Sequence, residues 1–171
     1  MTGVMAVRVS ELLRDAAPAA ITAVLVLVEA TPLGIPGLPP VAPALAMVGV
    51  FHWAAFRPET MPAWLAFLIG LLHDLASGAP LGLTGLVFIL LQGICVSQRR
   101  WFLTTSFSIT WLLFGLIATG ATMIGWLVTC IYMTQILDPV PALTRAAITI
   151  AFYPPLAWVL GRLERRLWAF G

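Results

Sequence analysis

Apolar residues run along this chain in long blocks, and the polar positions that interrupt them are clustered. A helix that crosses a bilayer needs about 20 mostly apolar residues. Six blocks meet or approach that length: 16–35, 41–56, 62–78, 80–98, 104–133 and 142–161. Proline and glycine punctuate the boundaries, at Gly34-Ile35-Pro36-Gly37, Pro39-Pro40, Arg57-Pro58, Pro62, Gly78-Ala79-Pro80 and Asp138-Pro139. The second and third blocks are short, so they are expected to tilt little or to bury their ends against neighbours. The stretch 101–137 exceeds one span and falls short of two. It reads as one long or tilted helix with an interfacial lead-in at Trp101 and Phe102. Tryptophans 53, 64, 101, 126, 158 and 168 fall mostly near the expected interfaces, as an aromatic belt would.

Composition turns this pattern into a class. Of the 171 residues, 61% are hydrophobic and 9% are charged, whereas a soluble domain carries about a quarter charged residues. Such a chain cannot cover a water-facing surface, and its mean hydropathy of +1.01 agrees. The expected fold class is therefore all-α, a polytopic transmembrane bundle of six spans. Residues 1–15 form a cytoplasmic N-terminal segment, 16–162 the membrane domain and 163–171 a cytoplasmic tail. The segment MTGVMAVRVSELLRD reads either as a short amphipathic helix on the inner membrane surface or as a frayed terminus. It is not a convincing cleavable signal, because the apolar run that follows is too long.

Charge placement orients the bundle. The net charge of +2 is too small to argue for nucleic acid, and all nine basic residues are arginine. In a six-span reading Arg8, Arg14, Arg57, Arg99, Arg100, Arg162, Arg165 and Arg166 share one side, and only Arg145 falls on the other. The positive-inside rule makes the first side cytoplasmic, with both termini inside. A five-span reading would put the C-terminal arginine cluster outside. Cys95 and Cys130 lack CxxC spacing and read as inert small hydrophobes.

The candidate chemistry sits in the third block, at His73-Asp74. Ionisable groups inside a bilayer are costly, which makes them functional candidates by default. Adjacent helical positions point about 100° apart, so the two are not a dyad and each needs a partner elsewhere. Glu29 is the nearest candidate for an intramembrane tether, either to the His73 imidazolium or by sharing a proton with Asp74. His52, near Trp53 and Arg57, is expected to snorkel or cap at the inner interface. Gln92, Gln135 and Thr84 are candidate interhelical hydrogen bonders. Glycines 78, 82 and 85 with Pro80 make a tight turn without phosphate-loop spacing. Gly115, Gly120 and Gly125 form a small-residue surface for packing within the chain or against a second subunit. Ser77 lies one turn from His73 and Asp74. No GxSxG, HExxH or CxxC is present, so no catalytic set, metal site or cofactor is expected.

The run from Pro40 through Trp53, Arg57-Pro58, Gly70-Leu71-Leu72-His73-Asp74-Leu75 and Gly78-Ala79-Pro80-Leu81-Gly82-Leu83 resembles the rod shape-determining MreD family. The motif resemblance covers 40–86, and the rest agrees in length and span count. It implies family-motif positions at Arg57, Pro58, Gly70, His73, Asp74, Pro80 and Gly82, without assigning chemistry to them. It further implies a fold like the six-helix substrate-binding subunits of energy-coupling-factor vitamin transporters. The implied role is a non-enzymatic scaffold of the cell-elongation complex in the bacterial inner membrane. The implied partner is an MreC-like single-span protein, linked to an MreB-like actin, a SEDS glycosyltransferase and a class B penicillin-binding protein. One alternative is a small-molecule-binding subunit with an outward cavity lined by groups such as Glu29, Asp74 and Trp53. Another is an intramembrane hydrolase using His73, Asp74 and Ser77.

Overall fold

A computed structural model of the chain describes residues 2–31 and 42–168, with the side chains of 2–15, 101–103 and 167 undescribed. The boundaries expected at Gly34-Ile35-Pro36-Gly37 and Pro39-Pro40, and the side chains of Trp101 and Phe102, lie outside the described part. Helices α1 (Thr2–Ala30), α2 (Leu45–Phe56), α3 (Ala63–Ser77), α4 (Leu83–Ser97), α5 (Arg99–Thr104), α6 (Phe107–Met133) and α7 (Val140–Trp168) follow in order, with a 3₁₀ turn at Pro58–Thr60. Among the described residues there is no strand. Each of the six apolar blocks contains one long helix, and α5 is the short lead-in to α6. Among the described residues, only α6 and α7 are long and apolar enough to cross a membrane by length and composition. The apolar helical segments of α1 to α4 have 12–15 residues.

α2 is the hub. Its residues Ala46 to Ala55 are all buried, which fits a helix that is apolar on every side. It packs against α1, α4 and α7. Gly49 lets α1 approach, since a Cβ there would lie 3.0 Å from Thr22 Cγ2. Below it, Phe51, Phe114 and Tyr153 from α2, α6 and α7 stack with centroids 4.4 to 5.8 Å apart, in the offset and edge geometries that aromatic quadrupoles favour.

α3 and α4 form the closest pair. A Cβ added at Gly70 would sit 2.5 Å from the Cα and N of Gly85, so the two backbones touch. Their connection turns on Gly78 (φ +68°) and Gly82 (φ +90°), left-handed conformations that glycine adopts without a Cβ penalty. Gly85, expected in the turn, belongs instead to this helix contact.

α6 and α7 pair differently. Pro154 and Pro155 stand inside α7 and have no backbone N–H to give. The carbonyl of Ile150 that Pro154 leaves free accepts the Trp111 indole N–H from α6 at 2.9 Å. The buried residues of α6 are Thr110, Phe114 and Ala118, all in its first half. On its outer side Leu112, Leu116 and Ile131 are each more than 70% exposed. Apolar surface of this extent does not face water in a soluble monomer.

Candidate functional site

The bundle has two polar ends. The His73 end gathers the C-termini of α1 and α3 and the N-termini of α2, α4 and α7. The Arg57 end gathers the opposite termini.

At the His73 end, two helices begin without a capping side chain of their own. The N-cap positions are Ala44 for α2 and Gly82 for α4, and neither supplies a side-chain hydrogen bond. A helix N-terminus leaves several backbone N–H groups unpaired, and in apolar surroundings each such group is costly. Carboxylates from other helices meet that need. Asp74, fully buried on α3, accepts the Gly82 N–H at 2.8 Å and the Thr84 N–H at 3.2 Å through Oδ2. Its own carbonyl accepts the Gly78 and Ala79 N–H groups that close α3. One residue thus holds both sides of the α3–α4 turn. Negative charge there also complements the helix dipole.

Glu29 does the same for α2 from α1. Its Oε2 accepts the Ala46 N–H at 3.1 Å. The Ala44 N–H goes to Thr149 Oγ1 on α7 at 2.9 Å, while that hydroxyl donates to the Arg145 carbonyl. The other oxygen of Glu29 receives His73 Nε2–H at 2.9 Å and the Arg145 guanidinium. Arg145 Nη2 and His73 Nε2 come within 3.4 Å because both converge on that oxygen. Glu29 therefore joins α1, α2, α3 and α7. Its pairing is with His73 and Arg145, and the expected alternative of a proton shared with Asp74 is not the arrangement found.

His73 and Asp74 part company as adjacent helical positions should. His73 Nδ1 lies 3.9 Å from Asp74 Oδ1 and makes no hydrogen bond. Ser77 Oγ donates to the His73 carbonyl at 2.8 Å rather than to the imidazole, so no Ser–His pair forms. Pro80 and Gly82 shape the turn that Asp74 closes. Thr84 takes part through its backbone, Gln92 reaches the Met61 carbonyl at 3.4 Å, and Gln135 lies exposed in the turn after α6. No group of three or more His, Cys, Asp or Glu side chains that could hold a metal ion is found among the described residues.

Arg57 organises the opposite end. Its Nε donates to Glu164 on α7 at 2.9 Å, and its guanidinium lies 4.6 Å from the Trp168 ring centroid. Pro58 opens the 3₁₀ turn after it. His52 does not snorkel. It is buried, 3.6 Å from Glu164. Trp53 leaves the expected aromatic belt too, fully buried 6.3 Å from Trp168.

A cavity of about 590 Å³ opens beside the His73 end. Glu29, His73 and Arg145 line one wall and the second half of α6 lines another. Of the three groups expected around a ligand cavity, Glu29 is present, but Asp74 and Trp53 are not among its walls.

Sequence reasoning found Glu29, His73 and Asp74 but assigned no site role to Arg145, Thr149 or Glu164. Arg145 carried a signal as the one arginine on the side opposite the other eight. Glu164 carried one as a lone acid within an arginine-rich tail.

An all-helical bundle with two membrane-length apolar helices, a broad apolar surface and charges spent on helix-to-helix ties is a helical membrane protein. The family model for the rod shape-determining protein MreD matches residues 18–162, and the chain belongs to that family. No curated protein and no solved structure matches it. The matched range holds every polar group of the His73 end and stops just short of Glu164 and Trp168.

Proposed function

We propose that this chain, a member of a family that acts in rod-shape determination, is a non-enzymatic scaffold subunit of the cell-elongation complex. It crosses the bacterial inner membrane six times with both termini in the cytoplasm. It binds an MreC-like single-span protein and through it serves the MreB-like actin, a SEDS glycosyltransferase and a class B penicillin-binding protein. The observation that carries the reading is the use made of the buried acids. Asp74 and Glu29 are both engaged by backbone N–H groups or by His73 and Arg145, and the nearby Ser77 hydroxyl is spent on a carbonyl. A nucleophile with a base in reach is what a hydrolase needs.

Charge supports the orientation. Arg57, Arg99, Arg100 and the arginines of the α7 C-terminus belong to one end. Arg145, the exception, is neutralised by Glu29 and so adds little to the opposite side. Co-purification tests the scaffold role. The full chain, extracted in mild detergent with a co-expressed MreC-like protein, is expected to elute as a stable complex. A chain that elutes monomeric and partner-free overturns it.

A further inference from the structure

We infer that the cavity between the second half of α6 and the His73 cluster binds one phospholipid, with its phosphate on Arg145 and its chains on the α4 wall. This goes beyond the scaffold reading and stands on separate observations.

The cavity exists because α6 leaves the core partway along. It packs through Thr110, Phe114 and Ala118, and none of its residues is buried beyond them. The gap that opens is lined on α6 by Ala121, Thr122, Gly125 and Thr129 together with the large Trp126, and a Cβ at Gly125 would meet nothing within 4 Å. Facing it are Leu83, Val87 and Phe88 of α4 and Met47 of α2. An apolar gap in a membrane wall fills with something apolar.

Volume selects the occupant. A partner helix is about 10–12 Å across with its side chains, too thick for about 590 Å³ over even a few turns. At about 30 Å³ per small group, the space holds roughly 20 such groups. That matches a headgroup with part of its chains, and lies within the range of single-ligand sites.

The polar wall selects the headgroup. Arg145 meets Glu29 and comes within 3.4 Å of His73 Nε2 through its Nη2. The Nε–H and the Nη1 hydrogens, which lie on different edges of the guanidinium, remain as separate donors on a side chain 37% exposed. Each is a charge-assisted donor that a phosphate oxygen accepts. Trp126, on the facing wall, carries an indole N–H that is buried without a partner among the described residues, a second donor awaiting an acceptor. Asp138 and the Glu29 paired with Arg145 also line the cavity, so the guanidinium and indole donors, and not an excess of basic charge, hold the phosphate.

The test is native mass spectrometry of the full chain in mild detergent, titrated with dioctanoyl phosphatidylglycerol. Parallel titrations use dioctanoylglycerol, which keeps the chains without the phosphate, and inorganic phosphate, which has no chains. Saturable binding of one phospholipid per chain is expected, with dioctanoylglycerol at least about ten-fold weaker, or about 1.4 kcal/mol, and no retained phosphate. Gly125→Leu fills the cavity from α6 and Arg145→Gln removes the guanidinium. Each should weaken the phospholipid about ten-fold or more, and Thr122→Leu narrows the same wall if either variant fails to accumulate. Unchanged affinity in a folded cavity-filling variant overturns the site. Equal binding of dioctanoylglycerol overturns the phosphate contact, and equal binding of free phosphate overturns the lipid.

Discussion

The α3–α4 pair and the α6–α7 pair are both antiparallel neighbours rich in glycine, yet they are built on different principles. Between α3 and α4 the glycines remove side chains where backbones touch, and Asp74 closes the turn from inside. Between α6 and α7, Gly115 meets only the Ile150 side chain at an ordinary 3.5 Å, and Gly120 and Gly125 face open space. The polar tie there is an indole N–H on a carbonyl freed by proline, beside the stacked rings of Phe114 and Tyr153. The same residue type is thus obligatory in one pair and dispensable in the other. The first pair is a fixed hairpin, and the second leaves a surface and a gap for other molecules.

Substitutions sharpen this contrast in descending order. Gly70→Leu should have the largest effect. It forces a side chain into the Gly85 backbone, and overpacking of this severity costs about 3 kcal/mol or more. Little folded protein should survive extraction, read as loss of the monodisperse peak in size-exclusion chromatography. Asp74→Ala strands the Gly82 and Thr84 N–H groups. Hydrogen bonds to a charged acceptor are worth about 1.5–3 kcal/mol each, so a loss of about 3 kcal/mol is expected, read from thermal unfolding in detergent. Glu29→Gln keeps the shape but leaves Arg145 without its counter-charge. Breaking a fully buried pair costs about 3–5 kcal/mol. Because Arg145 is more than a third exposed, about 2 kcal/mol is expected in the same assay. Gly120→Ala should move stability the other way, by about 0.5 kcal/mol in favour of the fold, since the site is open and glycine is costly inside helices. A destabilised Gly120→Ala would mean that α6 packs more tightly than described.

Much of this was legible in the sequence. The six helices lie where the apolar blocks lie, because blocks that long leave little room for another structure. Boundaries moved where capping decided them. The second block was expected from 41, but α2 begins at Leu45, after Pro43. The fourth was expected from 80, but α4 begins at Leu83, because Pro80 to Gly82 form the turn that Asp74 holds. The polar residues in the apolar blocks announced the His73 end, and Glu29 with His73 was a readable pair. What could not be read was the fourth helix at that cluster. Arg145 lies 116 residues from Glu29, and no local pattern encodes such a meeting. Backbone acceptance was equally hidden. A carboxylate that caps a different helix leaves no spacing signature, whereas a Ser or Asp at its own N-cap would have. His52 and Trp53 misled for a related reason. Their types suit an interface, but α2 is enclosed on all sides, and Trp168, from the far end of the chain, packs against Trp53.

The central claim is that the His73-Asp74 cluster is a frame and not a reaction centre. Asp74→Asn tests it most directly, because Asn keeps an acceptor for the Gly82 and Thr84 N–H groups but cannot act as an acid or base. The measurement is cell shape in a rod-shaped host whose own copy is deleted, with variant levels in the membrane quantified alongside. The account predicts rods with Asp74→Asn and rounded cells with Asp74→Ala. Rounded cells with Asp74→Asn present at the wild-type level would contradict it.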